Sequence, residues 1–426
     1  MGLIRTVGGT VGSWLARTRL ARFLLRRFGT RALSLLPESV LVPLRRDGLD
    51  PVPELTRIRE TAPVSKLPVP FGVNLWLVTG YTESKQVLAD TASFSNDYRH
   101  LGALVGAEEV SPGGLGFADP PDHTRLRKLL TPEFTMRRLA RLAPRIDEIV
   151  TGCLDRMAAA DGPVDLVEHF ALPIPSLTIC ELLGVPYTDR EDFQRLAVAR
   201  FDLFGGAGAS LGAISESLTY LRGVVEQQRK NPGDGLLGMI IREHGDEIDD
   251  LELAGLADGI LTGGFETTAS MLALGALILL RDERSATLVR DDDAAIGPFV
   301  EELLRYLTVV QMAFPRFARH DLEVAGVRIG AGDLVVCSLS AADRDPVLGA
   351  DIDRFDPVRP PTQHMAFGYG AHRCIGAELA RMELRAAYPA LVRRFPGLRL
   401  AVPEQSLEYR QTSIVYGVER IPVHPG

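Results

Sequence analysis

The sequence predicts a mainly α protein with a small antiparallel β part. Three observations predict it. Apolar residues recur with helical spacing over 122–130, 137–160, 165–184, 214–229, 250–281, 297–307 and 376–394. Runs of strand character are short and dispersed, at 74–79 (NLWLVT), 323–328 and 334–340. The regular strand–helix alternation of a parallel sheet is missing.

Taken in chain order, the first 46 residues stand apart. They hold nine Arg against Glu38, a charge of +8, which leaves −16 of the total −8 on residues 47–426. On a helical wheel Trp14, Ala21, Leu24, Leu25 and Phe28 fall on one side and Arg19, Arg22 and Arg26 on another. That is a basic amphipathic N-terminal extension, suited to docking on the acidic body or to lying on an anionic membrane surface. It lacks the apolar core and cleavage site of a secretory signal. From Asp47 onward there is no repeat and no long linker, so 47–426 reads as a single domain. The turn-rich segment 111–121 (SPGGLGFADPP) ends in two prolines and leads through Asp122 into a helix start. A second turn-rich segment spans 343–361, and ordered loops of that length are often functional.

Composition removes several classes. With 46% apolar and 24% charged residues the chain is neither disordered nor membrane-spanning, having no uncharged apolar run of 18 residues. Its acidic balance argues against a nucleic-acid partner. The four cysteines, Cys153, Cys180, Cys337 and Cys374, form no C-x-x-C pair, which leaves a disulfide scaffold and a zinc ribbon unsupported. The expectation is a cytoplasmic enzyme.

Cys153, Cys180 and Cys337 lie in apolar or amphipathic runs and read as small buried hydrophobes. Cys374 differs. It sits in Phe367-Gly368-Tyr369-Gly370-Ala371-His372-Arg373-Cys374-Ile375-Gly376, which opens onto the helical pattern AELARMELRAAYPALVRRF. Glycines permit positive φ and close approach of backbone to a flat ligand. A cysteine just before a helix meets free N–H groups and the positive end of the dipole, both of which favour thiolate. Such a thiolate is a nucleophile or a metal ligand. A nucleophile needs a base and an oxyanion site, and only His372 is offered. A single thiolate suits haem iron, whose porphyrin supplies four further ligands.

The segment resembles the haem-binding loop of the cytochrome P450 family, the haem-thiolate monooxygenases, and the resemblance extends over residues 47–426. It implies the family's fold, haem b held by Cys374 as axial ligand, and Phe367 and Gly368 as part of the haem-binding loop. Four further motifs carry it. Leu261-Thr262-Gly263-Gly264-Phe265-Glu266-Thr267-Thr268 places two glycines inside a helical pattern, where each costs about 1 kcal/mol relative to Ala, so a ligand groove should offset them. An acid followed by an alcohol can relay protons. The resemblance implies that Thr267 hydrogen-bonds the dioxygen used in the reaction and that Glu266 links it to solvent. Helical phase puts Gly259, Thr262 and Gly263 on the same face, so small residues there leave room for a bulky substrate.

His123 and Arg127 are i and i+4, two donors on one face that suit a carboxylate. The resemblance makes that carboxylate a haem propionate, with Arg316 and His372 at two further propionate positions. Glu302 and Arg305, i and i+3, read alone as a solvated surface pair. The resemblance makes them a buried structural pair with Arg354 as third member. Asp343 departs from the Asn common in the family, without touching the chemistry. Val310, Gln311 and Met312 lie in a further pocket segment, with Gln311 and Asp202 as polar anchors and Gly205, Gly206 and Ser210 in a lid.

No flavin or dinucleotide-binding pattern is present, so electrons are expected from a separate ferredoxin and ferredoxin reductase, steered by Lys128 and Arg373. The expected reaction is hydroxylation or epoxidation of a hydrophobic polyketide, macrolide, terpenoid or steroid in secondary metabolism. Oxidative coupling or rearrangement, action on a carrier-bound substrate, a non-catalytic haem protein and a cysteine hydrolase are the competing readings.

Overall fold

The computed structural model describes residues 37–69, 73–97, 99, 114–185 and 207–426, with side chains in the last stretch from 217 onward. The helices that build the site are α1 (Asp122–Leu130), α2 (Ala143–Ala158), α3 (Pro173–Leu183), α4 (Ala207–Lys230), α5 (Asp250–Arg281), α6 (Asp293–Leu307) and α7 (Ala377–Arg394). The predicted bounds of α1 and α5 match. The 165–184 pattern is a π-helical turn, Val167–Ala171, followed by α3.

α5 is the axis. Asp249 caps it by accepting the Glu252 N–H. Residues 268–279 are buried on every side, because α3, α4 and α7 pack around it. It is long and apolar enough to cross a membrane, but it is a core helix packed inside the protein. Leu272, Leu274 and Leu277 are fully buried, each contributing about 1.5–3 kcal/mol of transfer free energy. Gly275 is where α7 comes closest: a Cβ there would overlap the Tyr388 hydroxyl, which donates to the Met271 carbonyl at 2.5 Å.

The β part is less uniformly antiparallel than expected. Its largest sheet has five strands in the order β1 (Val64–Leu67), β2 (Leu75–Val78), β5 (Leu334–Cys337), β4 (Arg316–Ala318), β3 (Phe94–Ser95). β5 pairs with β2 in parallel, Leu334 opposite Leu75 through Cys337 opposite Val78, and the other pairs are antiparallel. Strands of two to four residues carry too few alternations to reveal this pairing. Cys153, Cys180 and Cys337 are buried, as expected of small hydrophobes.

The domain boundary at 46/47 moves. Val42, Pro43, Leu44 and Arg46 are buried in the body. Arg46 Nε donates to Gln311 Oε1 at 2.9 Å and its Nη2 to the Thr308 carbonyl at 2.9 Å. The last part of the supposed extension thus belongs to the domain, because charge counting cannot see a buried arginine satisfied by carbonyls. The amphipathic stretch itself lies outside the described residues.

Asp343 is fully buried between the end of α6 and the loop before Cys374, accepting from Met365 N–H at 2.6 Å and Thr308 Oγ1 at 2.8 Å. Burial pushes its carboxyl up to about 6, against the pull of His364, the Met365 N–H, Thr308 and Arg305. The fold therefore binds this proton more tightly than the unfolded chain does. The associated stability is complete below about pH 4 and is lost as pH rises through about 6. Asp343→Asn is expected to shrink the stability difference between pH 5 and pH 8 by about 1.5 kcal/mol, roughly half of the full effect, since the other half is already lost by pH 5. Chemical unfolding at the two pH values checks it, and an unaltered difference would mean that the buried carboxylate carries its charge at no cost.

Candidate active site

The cysteine loop lies between α6 and α7. Gly368 (φ 68°) and Gly370 (φ 74°) occupy left-handed backbone, and a Cβ on Gly370 would lie 2.5 Å from the Leu88 carbonyl oxygen. The loop closes on itself: the Cys374 N–H donates to the Phe367 carbonyl at 2.8 Å, and the Gly368 N–H to Met365 at 2.8 Å. Cys374 is exposed, two residues before the Gly376 cap of α7. The helix end acts in the expected direction, since the Gly376 N–H lowers the thiol, but it is not the largest influence. Although the residue is open to solvent on one side, the protein packed around the sulfur raises the thiol, and this outweighs the Gly376 N–H and the charges of Arg127, Arg373 and Arg381. A bound metal ion is what deprotonates such a thiol.

A cationic cradle faces the loop. His123 and His372 lie with ring centroids 4.1 Å apart and their planes tilted by 41°. Arg127 Nη2 donates to the Arg373 carbonyl at 2.8 Å, and the buried Arg316 donates through Nη1 to the Phe314 carbonyl at 2.9 Å. Burial, then the charges of His123 and Arg316, push His372 down to about 3. His123 is lowered too, by burial and then by Arg127. His123 Nε2 and both ring nitrogens of His372 are buried with no hydrogen-bond partner among the described residues. A buried polar atom left unpaired costs about 1–3 kcal/mol. Three of them beside two guanidiniums fit an anionic, oxygen-rich group, so the residues present fit the two carboxylates of haem with Cys374 as its ligand.

The sequence missed how the cradle is held. Asp119 accepts from the Asn96 N–H at 2.7 Å, from Arg319 Nη2 at 2.6 Å and from Ser95 Oγ, and its carbonyl accepts the His123 N–H at 2.9 Å. Arg125 reaches from α1 to Glu252 on α5. Only the proximity of Asp119 to the Pro-Pro turn hinted at the first; nothing local signals the second.

α5 carries the second group of predicted site residues. Gly259 and Gly263 are exposed and Thr262 and Thr267 half-buried on a helix otherwise packed in the core. The two adjacent glycines separate in role. A Cβ on Gly263 would meet nothing within 4 Å, whereas one on Gly264 would lie 2.9 Å from Ile179 Cδ1. Gly264 allows α3 to approach, and Gly263 keeps the site face clear. Gly259 is partly covered: a Cβ there would lie 3.1 Å from the Gly114 Cα. Thr267 Oγ1 donates to the Gly263 carbonyl at 2.7 Å. Glu266 is buried and is bound by Arg410, a residue no local pattern singled out; Arg410 Nε lies 3.7 Å from Glu419, which is exposed.

Two expectations fail. Gln311 is not a pocket anchor. It is fully buried, accepting from Arg46 and donating to the Leu44 and Ser413 carbonyls at 2.9 and 2.8 Å, so its polarity is spent tying three chain segments together. Its neighbours Val310 and Met312 are partly buried against core clusters. The exposed aromatic of this segment is Phe314, whose ring lies 4.7 Å from that of Phe117. Arg354 is not the third member of the buried pair. Arg305 binds Glu302 through two bonds of 2.7 and 2.8 Å, and Arg359 Nε completes the set at 3.1 Å. Arg354 is exposed and contributes only its carbonyl, which accepts from Arg305 and Arg359. Two arginines five residues apart in one irregular loop cannot be ranked without its backbone path. Asp202 and Gly205-Gly206 lie outside the described residues, and the Ser210 side chain outside those described.

Comparison with known proteins agrees with this geometry. The family model described as Cytochrome P450 matches residues 212–409. Cytochrome P450 165B3 of Amycolatopsis orientalis is 40% identical over 391 residues, 89% of this chain and 97% of that protein. Mycinamicin IV hydroxylase/epoxidase of Micromonospora griseorubida is 37% identical, over 86% of this chain and 93% of the relative. Among solved structures, the complex of the X-domain and OxyB from teicoplanin biosynthesis matches with TM-score 0.79 and 42% identity, covering 90% of this chain and 99% of that one. Likeness of this degree over nearly the whole chain, together with a loop built to hold a haem-ligating cysteine, shows that the protein belongs to the cytochrome P450 family of haem-thiolate monooxygenases.

Proposed function

We propose that this enzyme hydroxylates or epoxidises a bulky hydrophobic small molecule of secondary metabolism, of polyketide, macrolide, terpenoid or steroid type, in the cytoplasm. Electrons come from a separate ferredoxin and its reductase. The observation that carries the reading is the α5 face, where Gly259, Thr262 and Gly263 keep the wall low beside an intact Glu266–Thr267 pair.

Haem, when bound, supplies the activation of dioxygen, with the thiolate pushing electron density toward iron. Cys374 would hold the iron, and His123, His372, Arg127 and Arg316 would hold the carboxylates. Phe314, Phe117 and the glycine face would orient an apolar substrate and exclude water. The Thr267 hydroxyl, donating to the Gly263 carbonyl, can move a proton at the α5 groove. Glu266, buried next to Thr267 in the chain and held by Arg410, would be the carboxylate that takes that proton on toward solvent. A general acid–base relay of this kind contributes about 10²–10⁴-fold.

A second reading has its own support: the chain resembles OxyB, a protein seen in complex with an X-domain. On that reading the substrate is presented by a partner protein, and the reaction is oxidative coupling. The test is a titration of the haem absorption of the purified protein with polyketides, terpenoids, steroids and fatty acids, followed by turnover under ¹⁸O₂. A spin-state shift with one class and one ¹⁸O atom in its product are expected. No shift with any free compound, in a protein whose reduced CO complex shows intact thiolate ligation, would move the assignment to a partner-presented substrate. A product without ¹⁸O would move it to coupling.

A further inference from the structure

Behind the cysteine loop lies an ion-pair cluster that the reaction described above does not use. Arg381, seven residues after Cys374 on α7, grips Glu301 of α6 with both ends of its fork, Nε to Oε1 at 2.6 Å and Nη2 to Oε2 at 2.8 Å. Its third nitrogen donates to Glu378 Oε1 at 2.9 Å. Bidentate pairing of this kind fixes direction as well as distance. Glu301 also receives His364 Nε2 at 3.2 Å and lies 3.5 Å from Arg385. Burial pushes the Glu301 carboxyl up, but Arg381 and His364 outweigh it and hold the group at about 2, so the acid is ionised throughout the working range.

What the cluster aims at is the loop. The Arg381 guanidinium sits 4.7 Å from the centroid of the Phe367 ring, a cation–π distance. The Phe367 carbonyl is the acceptor of the Cys374 N–H. The Arg381 charge also acts on the Cys374 sulfur, alongside those of Arg127 and Arg373. Hydrogen bonding and charge near a ligating sulfur are among the few levers a protein has on haem potential.

We propose that the Arg381–Glu301 pair sets the reduction potential of the haem held by Cys374, with Arg381 as the positioning residue for Phe367 and Glu301 as its counter-charge. The proposal rests on the haem-thiolate reading of Cys374. Its physics is simple: reduction adds an electron, and a positive charge behind the sulfur favours that electron while a negative one opposes it. The two halves of the pair therefore act with opposite sign. A clamp that merely ties α6 to α7 would respond alike to the loss of either half.

The experiment is a spectroscopic reductive titration of the haem-loaded full-length protein and three variants. Arg381→Gln is expected to lower the potential and Glu301→Gln to raise it. Each shift is read as a several-fold change in the oxidised-to-reduced ratio at a fixed potential, tenfold being about 59 mV for one electron. Arg381→Lys, which keeps the charge, is expected to stay closer to the unaltered protein than Arg381→Gln, and serves as the decisive variant should Arg381→Gln fail to load haem. Shifts of the same sign, no shift, or a Lys variant that moves as far as the Gln variant would overturn the proposal. An unaltered protein whose reduced CO complex lacks the thiolate band would overturn the haem-thiolate reading itself, and the proposal with it.

Discussion

Cys374→Ser is expected to leave the fold intact and to abolish the thiolate signature of the reduced CO complex, with turnover falling by more than about 100-fold. Outer-sphere partners of a metal typically cost about 10–100-fold when lost, and the ligand itself should cost more. The fold should survive because Cys374 is exposed and its loop is held by other bonds: Gly368 N–H to Met365, and the Cys374 backbone N–H to Phe367, which Ser retains. Thermal unfolding and the CO difference spectrum, measured on the same preparation, separate the two effects. An unchanged spectrum and turnover in the Cys374→Ser variant would remove Cys374 as the ligand.

The second large effect is on stability. Arg305 is fully buried, and besides Glu302 it donates to the carbonyls of Asp343 at 2.9 Å, Ile352 at 2.7 Å and Arg354 at 3.1 Å. Arg305→Ala leaves a buried carboxylate with only Arg359 and the Asp356 N–H, and strips the buried carbonyls of Asp343 and Ile352 of a donor. Breaking a buried pair from one side costs about 3–5 kcal/mol, more than most single substitutions. The expected result is a protein that unfolds at much lower denaturant and loads little haem, since the same arginine ties α6 to the 343–354 loop. The double variant Glu302→Ala/Arg305→Ala should lose less than the sum of the two single variants, because neither charge is then stranded. A cost below about 1 kcal/mol for Arg305→Ala would show the site to be wetter than it looks.

Much of the site was legible in the sequence. The cysteine loop was, because its constraints are local: positive φ at Gly368 and Gly370, and a helix start, all fall within ten residues. Helical phase placed Gly259, Gly263 and Thr267 on one face, since 3.6-residue periodicity survives any packing. His123 with Arg127 was legible for the same reason.

Tertiary structure alone decided the rest. That Arg359 and not Arg354 meets Glu302 depends on the path of an irregular loop. That Arg410 binds Glu266, 144 positions away, depends on how a distal turn docks on α5. Gln311 looked like a pocket anchor because a buried amide and a ligand-facing one have the same local sequence; only the arrival of Arg46, Leu44 and Ser413 tells them apart. The pairing of β5 with β2 in parallel likewise joins segments far apart in the chain, Leu334 lying opposite Leu75. Local chemistry and periodicity determine which residues can act and which face they share. Which charges meet is settled by burial, where a lone ion is too costly to leave without a partner from wherever in the chain one can be brought.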